Sequence, residues 1–173
     1  MQYIYILGVG HNTPTLIELA ELNGFTVRGL YHYENGRTGD KVCGVPIVGT
    51  NDNLFMNNDL KGLNFALSMG NNSIRISLAK KIRDLNGYIP TLIHPTASVS
   101  KYAKLSDGVI VQANATIQPD VIIKQDTVIS FNVGITHNTI IETGCYIAGQ
   151  SIVGAYTHIE EGAFVGMGAT IIS

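Results

Sequence analysis

His137 is the side chain in this sequence best suited to moving a proton. An unperturbed imidazole titrates near pH ~6.5, so it can accept a proton at neutral pH. It sits in Ile135-Thr136-His137-Asn138, two residues past an aliphatic that belongs to a strict repeat. Asn138 carries no charge, so it can orient a neighbour by hydrogen bonding but cannot raise its basicity. On the residues alone, a general base and a solvated corner histidine are both open. A second locus is Gly8-Val9-Gly10, followed by His11-Asn12-Thr13-Pro14. Backbone N–H groups at such a helix start can cradle a phosphate; a tight turn is the alternative. Thr13 stands where the dinucleotide fingerprint has its third glycine, and no Asp or Glu closes the strand ending at Tyr31. Both facts argue against an NAD site. No metal is expected, because His94, His137 and His158 fall at different offsets of the repeat. Cys43 and Cys145 have no ligand spacing and no disulfide framework.

The repeat that places His137 is a hexad. Fourteen positions spaced six apart, from Ile93 through Val99, Leu105 and Val111 to Ile171, are all Ile, Leu or Val. A second register, four residues later, is small: Ala97, Ala103, Ala115, Thr127, Thr139, Cys145 and Ser151 among others. An amphipathic helix repeats every 3.6 residues and cannot carry this pattern. It predicts a solenoid of short parallel strands, three hexads to a coil of eighteen residues, with the aliphatic inward and Cys145 in packed core. His137 then lies near a coil corner and points outward. The series stops in mid-coil at Ile171-Ile172-Ser173, which leads us to expect missing C-terminal coils or an end covered by another molecule.

The first ninety residues follow a different rhythm. Gln2 to Leu7 predicts a strand, and Thr13-Pro14 a helix start with Thr13 as N-cap and an apolar face of Leu16, Leu19, Ala20 and Leu22. Thr26 to Tyr31 predicts a second strand, Val42 to Val48 one short extended piece, and Asn64 to Leu67 another strand. Gly70-Asn71-Asn72 caps a helix from about Ser73 to Leu85. The order predicts a small parallel α/β domain over 1–91 and the solenoid over 92–173.

The hexads resemble the left-handed β-helix of hexapeptide-repeat acyltransferases, typically trimers that take the acyl group from a coenzyme A thioester. Four ordered motifs sharpen this: Gly8-Val9-Gly10-His11 after a strand, Gly70-Asn71-Asn72 with Ile74-Arg75, Leu92-Ile93-His94-Pro95, and Ile135-Thr136-His137. Together they resemble the sialic acid O-acetyltransferase family, which includes bacterial N-acetyltransferases acting on nucleotide-linked amino sugars. The resemblance implies a Rossmann-like N-terminal domain holding the sugar with Gly10, His11, Asn12, Tyr31, His32 and Gly70. It implies a homotrimer, acetyl-CoA as donor at Tyr146, Ala155 and Met167, and His137 with Asn138 as the catalytic pair. Three departures stand out. Tyr31-His32-Tyr33-Glu34 replaces an acidic pair that contacts the nucleotide base, Asn138 replaces the usual acid after the histidine, and Tyr146 replaces a donor-binding histidine. The expected consequences are altered nucleotide recognition and a slower reaction, or one with a lower pH optimum. The rival readings are a non-catalytic trimeric scaffold and an acyltransferase on a non-sugar acceptor.

Bulk properties agree with a soluble cytoplasmic protein. The chain has 173 residues, 45% hydrophobic and 14% charged, with a net charge of −2. Scattered cations and a slightly negative balance exclude a phosphate-backbone binder. No run has membrane-spanning length, so neither nucleic acid nor membrane is an expected partner.

Overall fold

The strand–helix alternation of the first ninety residues folds as one five-stranded sheet. The computed structural model describes residues 2–172. The chain divides into two units, 1–90 and 91–173. In the first unit, β1 (Gln2–Leu7) pairs in parallel with β2 (Phe25–His32) and with β5 (Asn64–Leu67). The full order is β3-β4-β2-β1-β5, where β4 (Val45–Thr50) is parallel and β3 (Lys41–Val42) is antiparallel. Ile4, Ile6 and Leu7 are fully buried on β1, which lies inside the sheet between β2 and β5. The parallel strands bring the segments after β1, β2 and β5 to one edge of the sheet.

Two helices follow the predicted starts with corrections. Helix α1 (Thr13–Leu22) takes Asn12 as its N-cap, not Thr13, and Asn12 makes no side-chain capping bond. Thr13 is instead fully buried as the first helical residue. The apolar face uses Ile17 with Leu16, Leu19 and Ala20, while Leu22 is 48% exposed. The extended piece expected over Val42 to Val48 is a hairpin, turning at Cys43-Gly44 between β3 and β4. A short helix, α2 (Asn51–Phe55), was not expected. Its five residues are too few to show a 3.6 period, and its sequence signal is the capping box of Thr50 and Asn53. Helix α3 (Asn72–Asp84) starts where Asn71 accepts the Ile74 N–H, and packs Ala79 and Ile82 with Phe65 and Leu67.

The second unit is a prism of three parallel sheets with an 18-residue coil. One sheet stacks Leu92–Ile93, Ile110–Val111, Val128–Ile129, Tyr146–Ile147 and Phe164–Val165. The second stacks Ser98–Val99, Thr116–Ile117, Gly134–Ile135, Ile152–Val153 and Thr170–Ile171. The third stacks Lys104–Leu105, Ile122–Ile123, Ile140–Ile141 and His158–Ile159. Val111, Ile123, Ile129, Ile135, Ile141, Ile147 and Val153 are fully buried along the axis. Burying each such side chain stabilises the fold by about 1.5–3 kcal/mol. The small register lines the interior as well, and most of its polar tips are satisfied, the buried Thr157 hydroxyl being the exception. Thr127 and Thr139 hydroxyls donate to the carbonyls of Glu142 and Gly154 at 2.9 Å, and the Cys145 thiol to that of Glu160 at 3.0 Å.

A third register turns the corners. Gly108, Asn114, Asp120, Asp126, Asn132, Asn138, Gly144, Gln150, Tyr156, Gly162 and Gly168 all hold φ between 55° and 77°. This left-handed region is reached cheaply by Gly, Asn and Asp and at a cost by other L-residues. Nine of these eleven corners therefore use Gly, Asn or Asp; the exceptions are Gln150 and Tyr156.

Candidate active site

His137 occupies the corner between Gly134–Ile135 and Ile140–Ile141, with its ring exposed. Its Nδ1 lies 2.9 Å from Asn138 Oδ1. An amide oxygen only accepts, so in this contact Nδ1 carries the proton and donates, which leaves Nε2 as the ring nitrogen with a lone pair. The backbone N–H of His137 donates to Gln118 Oε1 at 3.1 Å, and its carbonyl accepts the Tyr156 N–H at 3.3 Å. Asn138 is also one of the left-handed corner residues, at φ 59°. Its identity thus satisfies two demands, the backbone turn and the histidine tautomer.

The coil register sets Ala155 and Tyr156 directly beside His137 and Asn138, one turn on. Two corner amides upstream are taken: Gln112 Oε1 accepts the Phe131 N–H at 3.2 Å, and Gln118 Oε1 that of His137 at 3.1 Å. At the next position Thr136 stands in place of Gln, and its hydroxyl bonds the Val153 carbonyl at 2.7 Å. The Ala155 N–H finds no partner among the described residues, so it can serve as an oxyanion donor. Tyr146 and Met167 are not brought to this corner within one chain. Tyr146 lies on another sheet, its ring 5.6 Å from that of Phe164, and Met167 is 67% exposed at the corner after Phe164–Val165. Tyr156 is the residue the hexad reading missed; its ring meets the His137 ring edge-on at 5.4 Å and 87°. The signal was present as the single aromatic in the corner register after position 108.

In the α/β unit, the expected residues gather at the carboxyl edge of β1, β2 and β5. Gly8 has φ 92° and donates its N–H to the Tyr31 carbonyl at 2.8 Å. A Cβ there would meet Met69 Cε at 3.1 Å and the Ser68 carbonyl at 3.3 Å, so the close approach requires glycine. The Gly10 N–H is consumed by Thr13 Oγ1 at 2.8 Å, which removes it from any phosphate cradle. Thr13 Oγ1 also lies 3.0 Å from Ser68 Oγ and so ties the segment after β1 to the one after β5. His11, Asn12 and Gly70 are exposed at this edge. Tyr31 is half-buried, and burial, then the neighbouring Tyr5 phenol, push its hydroxyl above the ordinary range. It therefore stays a neutral hydrogen-bonding group well past neutral pH. His32 is different: it is 3% exposed, and its Nδ1 accepts the Glu34 N–H at 3.0 Å. That nitrogen shapes the turn and is not presented to a ligand. Arg75, quoted in the sequence only as part of a motif, is 1% exposed and donates to the Met69 carbonyl at 3.0 Å and Asn72 Oδ1 at 2.9 Å. It fixes the shape of the segment that carries Gly70.

Among the described residues, no group of three or more His, Cys, Asp or Glu stands ready to hold a metal ion. No helix is long and apolar enough to cross a membrane.

A prism of hexads with an exposed corner histidine defines a class, and its parallel strands fit the left-handed β-helix fold of acyltransferases. The chain is similar to the acetyltransferase domain of PglB from Neisseria gonorrhoeae FA1090, at 26% identity and a TM-score of 0.65, covering 100% of this chain and 86% of that one. The same domain in complex with acetyl coenzyme A matches at 25% identity and a TM-score of 0.65, over 99% and 85% of the two chains. PerB from Caulobacter crescentus, in complex with CoA and GDP-perosamine, shares the fold at 22% identity and a TM-score of 0.61, over 100% and 95%. The structural neighbours are thus bacterial acetyltransferases, as the sequence resemblance implied. The family model of the GMPPB C-terminal domain matches residues 88–173. No curated protein matches the chain.

Proposed function

We propose that this protein is an acetyl-CoA-dependent acetyltransferase acting on an amino or hydroxyl group of a nucleotide-linked sugar, with His137 as general base. The observation that carries the reading is the His137–Asn138 pair, which leaves Nε2 to accept a proton, one coil from the open Ala155 N–H. The similarity to an acetyltransferase domain solved with acetyl coenzyme A supports the choice of donor.

The chemistry asks little of the protein, because a thiolate is a good leaving group. The acceptor nitrogen or oxygen attacks the thioester carbonyl as His137 Nε2 takes its proton. The Ala155 N–H donates to the oxyanion of the tetrahedral intermediate. As the C–S bond breaks, the proton held on His137 passes to the departing sulfur, and the acetyl group remains on the acceptor.

We place the sugar nucleotide at the carboxyl edge of a Rossmann-like α/β unit. Its parallel strands β4-β2-β1-β5 follow the start of the doubly wound order, and ligands in such sheets bind where the order reverses, here between β1 and β5. His11, Asn12, Tyr31 and Gly70 line that edge. Tyr146 and Met167 lie away from the His137 corner, so we propose that a second subunit of a cytoplasmic homotrimer completes the donor groove. Exposed Ile152, Phe164 and Met167 on the prism supply apolar surface for such an assembly. Thiol release from acetyl-CoA, measured against a panel of nucleotide-linked amino and hydroxy sugars, tests the reading. Acceptor-dependent release supports it; release with no member of the panel rejects it.

A further inference from the structure

Tyr156 is the one aromatic residue among the left-handed corners of the prism, at φ 58°. A bulky side chain in this region is a conformational outlier that the surrounding structure must hold in place, and such outliers gather at functional sites. Nothing in the packing of the core demands it, since Tyr156 is 73% exposed. The equivalent corner one coil earlier is Asn138, which makes the same turn with a residue suited to it. What Tyr156 does touch is the proposed base. Its ring stands at 87° to the His137 imidazole with centroids 5.4 Å apart, and its N–H donates to the His137 carbonyl at 3.3 Å. Asn138 fixes which ring nitrogen carries the proton, but one hydrogen bond leaves the imidazole free to swing about it. An aromatic wall at right angles removes that freedom.

Resting on the reading of His137 as general base, we propose that Tyr156 is a positioning residue: its ring holds the His137 imidazole in its catalytic orientation, and the strained corner is retained for that contact. The ring matters here, not the hydroxyl. Substituting Asn would relax the backbone while deleting the wall, so stability and turnover should move in opposite directions.

Two arms test this on the full chain. In the first, NMR follows the His137 ring protons, whose ring-current shift should vanish in Tyr156→Asn and persist in Tyr156→Phe. Unchanged shifts in Tyr156→Asn would overturn the proposal without reference to activity. In the second, Tyr156→Asn should lower kcat by about two- to tenfold, the range that an edge-to-face contact converts to. KM for acetyl-CoA should hold, Tm should be equal or higher, and Tyr156→Phe should restore kcat. If His137→Ala abolishes turnover while Tyr156→Asn keeps full kcat, this inference fails and the base assignment stands. If His137→Ala keeps full turnover, the base assignment fails and takes this inference with it.

Discussion

Asn138 is where one residue answers to both the fold and the chemistry. The left-handed corner at φ 59° favours Gly, Asn or Asp at this position, and the 2.9 Å contact to His137 Nδ1 requires an acceptor. Asn and Asp satisfy both, so exchange between them isolates the charge. In Asn138→Asp a carboxylate beside Nδ1 favours the protonated ring, so the base is lost to protonation at a higher pH than in the parent. The limb of the pH–rate profile on which activity appears should therefore move upward in pH, with Tm little changed. A profile that does not move would mean that position 138 does not act on the proton-accepting ring. In the sequence, His137 could be singled out because it sits two residues beyond a hexad aliphatic. The open Ala155 N–H could not, because it depends on Thr136 turning its hydroxyl to Val153 and away from the amide.

At the scale of elements, the coil is held by three interleaved registers, of which two were legible as side-chain chemistry. Large aliphatics and small residues announce themselves by volume, and the structure buries both. The third register is conformational and mixes Gly, Asn, Asp, Gln and Tyr, so hydropathy does not reveal it. Gly168 offers a clean measure of its worth. It holds φ 69°, and a Cβ there would meet no atom within 4 Å. Gly168→Ala should therefore cost about 1–2 kcal/mol by backbone strain alone, read from chemical denaturation. A neutral result would show that the corner relaxes and that the register is not under strain. In the α/β unit, strands and long helices were legible from apolar runs and caps. The Cys43-Gly44 hairpin and α2 were not, because segments of two to five residues carry too little periodicity.

At the scale of the whole molecule, residues of the proposed donor groove are separated on one chain. The His137 corner, Tyr146 and Met167 occupy different parts of the prism. In the trimer we propose, a second copy completes the groove, and sedimentation equilibrium should return three times the chain mass. Replacing exposed Phe164 with Glu should shift the protein toward monomer and lower acetyl transfer with it, the two losses following one another across protein concentration. A monomer with full activity would place the whole donor site on one chain. The central claim is that His137 removes the acceptor's proton during acetyl transfer. Its most direct test is the rate of acceptor-dependent thiol release from acetyl-CoA in His137→Ala against the parent protein. We expect a loss of about 10²–10⁴-fold in kcat, the usual worth of a positioned base, with Tm within a few degrees. Equal rates in the two proteins would contradict the account.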